Sequence, residues 1–293
     1  MPNMIQTTEE FTLFVKKQVD EQIAVAVDPK EVEKMIVKGI NKAVKKFEPL
    51  TMVKTKKGDK IAHKSIIDIS KYLAARIPVV LYGEAGSGKT TVLTEIAEAL
   101  KMDCYAISVN EQTSKVDFLG FVDAQGKTVI TNFRRAYENG GMFIIDEIDA
   151  GNPNVLTVIN SALSNDFMGF PDGMVKRHEN CVICCTANTL DGATTHYIGR
   201  NVLDGATKDR FAFVYVGYDE IIEKLISPQY SELVTELRNY YKGKQILSTR
   251  LVKRLAQYAF VDKLTVEIVL NLANLQEQQT DTQLVAIIKK YIA

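Results

Sequence analysis

The sequence predicts an α/β fold, a parallel sheet covered by helices on both faces and followed by a small all-helical region. Three observations predict it. Short, nearly all-apolar runs recur between helical stretches from about His63 onward, the pattern of strands buried on both faces. A glycine-rich turn joins the first of these runs directly to a helix. After Tyr218 the strand-like runs stop, and residues 219–293 carry helical periodicity only. The chain therefore divides into residues 1–62, a helical extension with a basic linker; residues 63–218, the α/β body; and residues 219–293, a helical domain.

Taken in order, Glu10 to Ala26 places Phe11, Phe14, Val15, Val19 and Ile23 near helical spacing. A second helix opens at Asp28-Pro29-Lys30-Glu31, with Asp as N-cap, Pro at the first helical position and Glu at the third, and runs to about Phe47. Residues 42–64 then hold eight lysines against two acids, the composition of a solvated linker, with nucleic-acid contact the minor reading. A helix over Ser65 to Ala75 leads to five expected strands: Ile77 to Tyr82, Cys104 to Val109, Met142 to Asp146, Cys181 to Ala187 and Phe211 to Val216. Two stretches alternate around turn residues and predict hairpins. Gly120 to Ile130 folds about Ala-Gln-Gly, and Phe167 to Lys176 about Pro-Asp-Gly.

Composition excludes several classes. The 293 residues hold 36 Lys+Arg and 36 Asp+Glu, so the chain is neither a globally basic nucleic-acid binder nor an acidic solvating tail. A hydrophobic content of 46% beside 25% charged residues excludes wholesale disorder. No uncharged apolar run approaches the roughly 18 residues of a membrane span. The start MPNMIQTTEE lacks the basic and apolar regions of a secretory leader, so a cytoplasmic location is expected. Cys181, Cys184 and Cys185 lie in one apolar run apart from Cys104, and no second CxxC completes a zinc site. They read as buried small hydrophobes, without disulfide or metal.

The chemistry starts directly after the first strand. Gly83-Glu84-Ala85-Gly86-Ser87-Gly88-Lys89-Thr90 fits G-x-x-x-x-G-K-[ST], with Thr91 continuing into the helix. Glycines let successive backbone N–H groups turn inward toward a polyphosphate, and the following helix adds its positive end. Lys89 would reach the β- and γ-phosphates, and the Thr90 hydroxyl would bind Mg²⁺. Chance gives this pattern in roughly one chain per hundred of this length, and its place between strand and helix lowers that further. Binding of a nucleoside triphosphate is expected. Asp146 and Glu147 end the third expected strand, and in a parallel sheet that edge faces the same crevice. Asp146 can hold the magnesium ion's water shell, while Glu147 can polarise an attacking water. Asp149 reads as a cap or an ion-pair partner.

With GEAGSGKT, FIIDEID, CCTANTL, the stretch from Tyr197 to Phe211 and Ser248-Thr249-Arg250 in this order, residues 60–260 resemble the AAA+ ATPases. Within them they resemble the MoxR, CbbQ and cobaltochelatase small subunit (CobS) group, which has relatives in phage genomes. The resemblance implies a P-loop core with sheet order 5-1-4-3-2, two inserted hairpins, a helical lid, and Mg²⁺-dependent ATP hydrolysis by a homo-oligomer, a hexameric ring. It implies that Asn188 is the polar residue orienting the lytic water and that Arg210 is an arginine finger reaching a neighbouring subunit. Arg200 is a second basic candidate, and either arginine could instead form a structural ion pair. Arg250 would contact the phosphates from the lid, with Arg254 one turn later able to replace it. CobS-type subunits work with a partner bearing a von Willebrand A-like domain, so a protein client of that kind is implied. Phe118 and Phe121 occupy the region of the family's pore loop, with a packing pair in the hairpin as the equal alternative.

Three other functions compete with a partner-remodelling ring ATPase. A small-molecule P-loop kinase would explain the phosphate loop but has no need of Asn188, the hairpins or a lid carrying Arg250. A nucleic-acid motor or loader rests only on the lysine-rich stretch. A nucleotide-gated scaffold without turnover is opposed by Glu147.

Overall fold

The structure, a computed structural model, describes residues 52–55 and 58–292, with side chains from Ala62 onward. The helices expected over 10–26 and 28–47 lie outside the described residues. The first described elements, β1 (Met52–Thr55) and β2 (Gly58–Ile61), form an antiparallel hairpin where the sequence suggested a linker. Val53 and Thr55 are β-branched and favour extended backbone, a signal that the lysine content obscured.

The body then alternates as expected. It runs α1 (Ile66–Ala74), β3 (Val79–Tyr82), α2 (Lys89–Ala99), β4 (Cys104–Ser108), α3 (Lys115–Leu119), β5 (Phe121–Val122), β6 (Thr128–Val129), α4 (Asn132–Asn139) and β7 (Gly141–Asp146). It continues with α5 (Pro153–Ser164), β8 (Phe167–Phe170), β9 (Gly173–Lys176), β10 (Cys181–Ala187), α6 (Gly205–Lys208) and β11 (Ala212–Tyr215). Five strands form one parallel sheet in the order β11-β3-β10-β7-β4, which is 5-1-4-3-2 when the core strands are counted along the chain.

Period-two alternation divides the core between the two faces of that sheet. Val79, Leu81, Met142, Ile144 and Cys184 point to one side, where Ile66, Ile69, Leu93 and Ile96 of α1 and α2 cover them. Val80, Phe143, Ile145, Ile183 and Cys185 point to the other, beneath Phe118, Phe133, Tyr137 and Ile159 of α3, α4 and α5. The outer strand departs from expectation. β4 is apolar in sequence, yet its residues alternate between exposed and half-buried, because it has a neighbour on one side only. The hairpin β5–β6 is also shorter than expected. Asp123 Oδ1 accepts from the backbone N–H groups of Gln125 (3.0 Å) and Lys127 (2.8 Å), and this turn takes up residues that could have been strand.

After β11 the chain is helical: α7 (Glu220–Ile226), α8 (Pro228–Tyr241), α9 (Thr249–Val261), α10 (Val266–Ala273) and α11 (Thr282–Ile292). These pack on their own apolar cluster, which includes Leu233, Leu237, Leu251, Leu255 and Leu270. No described helix is long and apolar enough to cross a membrane.

Candidate functional site

The turn between β3 and α2 is closed by Gly88, which caps α2 in the left-handed region at φ +98, a conformation that side-chain-bearing residues adopt at a cost. Lys89 opens the helix and folds back under the turn. Its Nζ donates to the carbonyls of Gly83 (2.7 Å) and Glu84 (3.0 Å) and to Asn188 Oδ1 (3.1 Å). Lys89 is only 7% exposed. Burial pushes its ammonium down to about 8, against the pull of Asp149, Asp146, Glu84 and Glu147. Ser87 Oγ, which lines the same cavity, is buried without a partner among the described residues, a hydroxyl left free for a polar ligand.

The acids come from the end of β7, flanked on one side by β10. Asp146 Oδ1 accepts from Thr90 Oγ1 (2.8 Å) and from Thr186 Oγ1 (2.5 Å). Glu147 follows in the left-handed region at φ 58, ψ 46, and its backbone N–H donates to the same Thr186 hydroxyl (3.0 Å). That turn aims the Glu147 carboxylate at Asn188 Nδ2 (3.4 Å) and Arg200 Nη2 (3.2 Å). Arg200 Nη1 also meets Asp149 (3.3 Å), which is fully buried and accepts from the backbone N–H groups of Asn188 and Thr189. Burial raises the Asp149 pKa, and Arg200 opposes the rise. Thr90 and Asp146 thus present a hydroxyl and a carboxylate oxygen side by side, a donor pair that fits Mg²⁺. A cavity of about 510 Å³ joins this edge to the lid, with Arg250 and Lys253 of α9 on its far wall.

Residues 78–211 match the AAA domain family, dynein-related subfamily. The aerobic cobaltochelatase subunit CobS of Sinorhizobium sp is 27% identical over 161 residues, 50% of this chain and 48% of its own length. Residues 78–211 thus form an AAA domain, and the chain is similar to AAA+ ATPases of the MoxR/CobS-like group. Midasin of Giardia intestinalis is 29% identical over 192 residues, 61% of this chain and 4% of midasin. The chain thus spans about half of the first relative and a small part of the second. The solved structure of NtrX from Brucella abortus aligns with a TM-score of 0.47 at 11% identity, covering 85% of this chain and 54% of that one.

Of the residues grouped by sequence, the fold brings Ala85 to Thr91, Asp146, Glu147, Asn188 and Arg250 to the wall of one cavity. Gly83 and Glu84 supply the carbonyls under Lys89. Arg200 joins the site from its own chain, as the ion-pair partner of Glu147 and Asp149. Arg210 stands apart. Its guanidinium donates to Ser164 Oγ (2.9 Å) and to the Ala206 carbonyl, on the turn before β11. Arg254 is exposed and does not line the cavity, whereas Lys253 does. Phe118 and Phe121 separate: Phe118 is buried edge-on against Phe133 (6.0 Å) and Phe143 (6.5 Å), while Phe121 is 47% exposed. Cys181, Cys184 and Cys185 are buried in β10, and Cys104 is exposed. Among the described residues no three His, Cys, Asp or Glu side chains cluster as metal ligands.

Sequence reasoning missed four lining residues from the body: His63, Val92, Glu95 and Thr186. Thr186 was visible as the one hydroxyl in an otherwise apolar strand. His63 had no local signal. It accepts from Ser65 N–H at Nδ1 (3.2 Å), so Nε2 carries the proton to the Gly217 carbonyl (3.1 Å), and burial lowers its pKa and keeps it neutral. Ile222, Leu225 and Ile226 of α7 add apolar side chains to the wall of the same cavity.

Proposed function

We propose that the chain binds Mg²⁺-ATP in this cavity, hydrolyses it, and works as a homo-oligomeric ring, a hexamer, that remodels a partner protein complex in the cytoplasm. One observation carries the reading: Lys89, Thr90, Asp146, Glu147 and Asn188 surround a single cavity, with Asn188 bonded to both Lys89 and Glu147. Thr90 and Asp146 would hold Mg²⁺, which supplies charge neutralisation on the phosphate oxygens. Lys89 and the N–H groups of the glycine turn bind the β/γ-phosphates. Glu147 takes the proton of an attacking water, and Asn188 orients that water toward the terminal phosphate. Arg250 reaches the phosphates from the lid of the same chain. Arg210, outside the cavity, acts on the neighbour's nucleotide. The CobS relative is described as a subunit of a cobaltochelatase. This supports a multi-subunit client, with a von Willebrand A-like protein as the first to test.

The experiment compares ATP binding and phosphate release by the wild type and Glu147→Gln across a range of protein concentrations. The expected result is equal binding, turnover lost in the variant, and wild-type specific activity that rises with assembly. Turnover independent of concentration would remove the ring, and wild-type hydrolysis by Glu147→Gln would remove Glu147 as the base.

A further inference from the structure

Beside the phosphate loop, three segments meet on one guanidinium, that of Arg238. Arg238 of α8 lies over the Tyr218 ring, 3.9 Å from its centroid. Its Nη1 and Nη2 donate to both oxygens of Glu223 in α7 (2.8 and 2.7 Å), and its Nε donates to the Leu247 carbonyl (2.7 Å) just before α9. Glu223 is fully buried and also accepts from Thr249 Oγ1 (2.5 Å) in the first turn of α9. On the other side of the ring, Tyr218 Oη donates to the carbonyl of Ala85 in the phosphate loop (3.3 Å). The two ends of this path also touch directly. A Cβ built on Gly86 would lie 2.7 Å from Ser248 Cβ, so the first turn of α9 rests on the loop.

The guanidinium holds two elements at once, Nη1 and Nη2 on the Glu223 carboxylate and Nε on the Leu247 carbonyl, which a purely structural contact does not need. An apolar cluster would hold α7, α8 and α9 together at least as well as a buried ion pair. What the planar guanidinium adds is direction: it fixes the ring, the carboxylate and the Leu247 carbonyl in one plane-related set. Leu247 and Thr249 flank Ser248 immediately before Arg250, so these bonds fix the rotation of the turn that carries Arg250 into the cavity. We infer that Arg238 is a positioning residue that couples the phosphate loop to the lid, holding Arg250 on the terminal phosphate through Tyr218 on one side and Glu223 on the other. The inference rests on the ATP reading above and deepens it. Arg250 distinguishes ATP from ADP only while this path is intact.

The test uses full chains carrying Glu147→Gln, with ATP and ADP affinities measured by calorimetry for Tyr218→Phe, Arg238→Lys and the pair. Tyr218→Phe keeps the ring under the guanidinium and removes only the bond to Ala85. Arg238→Lys keeps a positive charge against Glu223, which a shortened side chain would leave buried and unpaired. Each single variant is expected to lose about five-fold in ATP affinity while ADP affinity stays within two-fold. The pair should lose no more than the weaker single, because both changes break one path. Arg250→Ala should abolish the ATP preference and make Arg238→Lys silent. Equal losses for ATP and ADP, a lowered melting temperature with an unchanged ATP-to-ADP ratio, or additive losses in the pair would each overturn the inference alone. Absence of ATP binding by the Glu147→Gln chain would overturn the ATP reading and this inference together.

Discussion

Thr186→Val tests the geometry of the acidic edge most directly, because it removes one oxygen and almost no volume from a side chain that is 1% exposed. That oxygen makes two bonds, donating to Asp146 Oδ1 (2.5 Å) and accepting from the Glu147 backbone N–H (3.0 Å). The first is charge-assisted and contributes about 1.5–3 kcal/mol, and loss of the second leaves a part-buried N–H unsatisfied at about 1–3 kcal/mol. The added methyl returns about 0.8 kcal/mol of apolar burial. The net expectation is a loss of about 2–4 kcal/mol of unfolding free energy, since the two bonds share one atom and are not fully additive. A larger effect falls on turnover. Glu147 sits at φ 58, a conformation that costs about 1–2 kcal/mol for a residue with a Cβ, and the Thr186 bond is what offsets it. Once released, the carboxylate moves away from Asn188 and Arg200, and a displacement near 1 Å costs about 10²-fold in rate. Urea unfolding and phosphate release, measured on Thr186→Val with Thr186→Ser as the hydroxyl-retaining control, read both effects. A Val variant within 0.5 kcal/mol of wild type by the first, or at the wild-type rate by the second, would refute the reasoning.

The remaining predictions concern charge. With Lys89 lowered to about 8 by burial, its neutral form dominates above that pH, whereas phosphate binding needs the ammonium. ATP affinity should fall about ten-fold per pH unit above 8, with proton uptake visible by calorimetry in two buffers; no uptake at pH 9 contradicts it. Arg200→Ala should destabilise by about 3 kcal/mol at neutral pH by leaving Asp149 buried without its counter-charge. Burial already raises the Asp149 pKa, so a protonated Asp149 needs no partner and the deficit should shrink as pH falls toward 4; a deficit constant with pH rules out this cause. Arg210→Ala should bind ATP normally and lose most hydrolysis, an arginine finger being worth about 10³–10⁵ in rate. Mixing it with Lys89→Ala chains should restore part of the activity, and no rescue in verified mixed assemblies would move the role away from Arg210.

The parts of the fold legible in sequence are those whose cause is local. A buried parallel strand must be apolar at nearly every position, so β3, β7 and β10 stood out, and the connecting helices followed from their period. The edge position of β4 came only from the strand order that the resemblance implied, because Cys104 to Val109 is itself as apolar as its neighbours. The phosphate loop was legible because one continuous turn performs the binding. The supports around it were not. Thr186 lies 40 positions from Asp146, Tyr218 lies 133 from Ala85, and Arg238 lies 15 from Glu223. Each is a common residue type whose task is set by what the fold places opposite it. Arg200 is the instructive case: its charge marked it in sequence, but whether it serves its own site or a neighbour's depends on the loop after β10, which brings it to Glu147.

The placement of Asn188 explains how one small site keeps two opposite charges at work. Lys89 and Glu147 would neutralise each other if they met, and neither could then serve phosphate or water. Asn188 stands between them, accepting from the ammonium at Oδ1 and donating to the carboxylate at Nδ2. An amide presents an acceptor and two donors from one planar group without carrying charge. A carboxylate there would capture the lysine and repel Glu147, and a hydroxyl is too short to bridge both. Its position is held from behind, since Asp149 accepts the Asn188 and Thr189 backbone N–H groups and is itself bound by Arg200. The same arginine also meets Glu147, so the amide and the carboxylate are fixed from a common point. A nucleotide that draws Lys89 onto its phosphates would therefore act, through one amide, on the residue proposed to activate water.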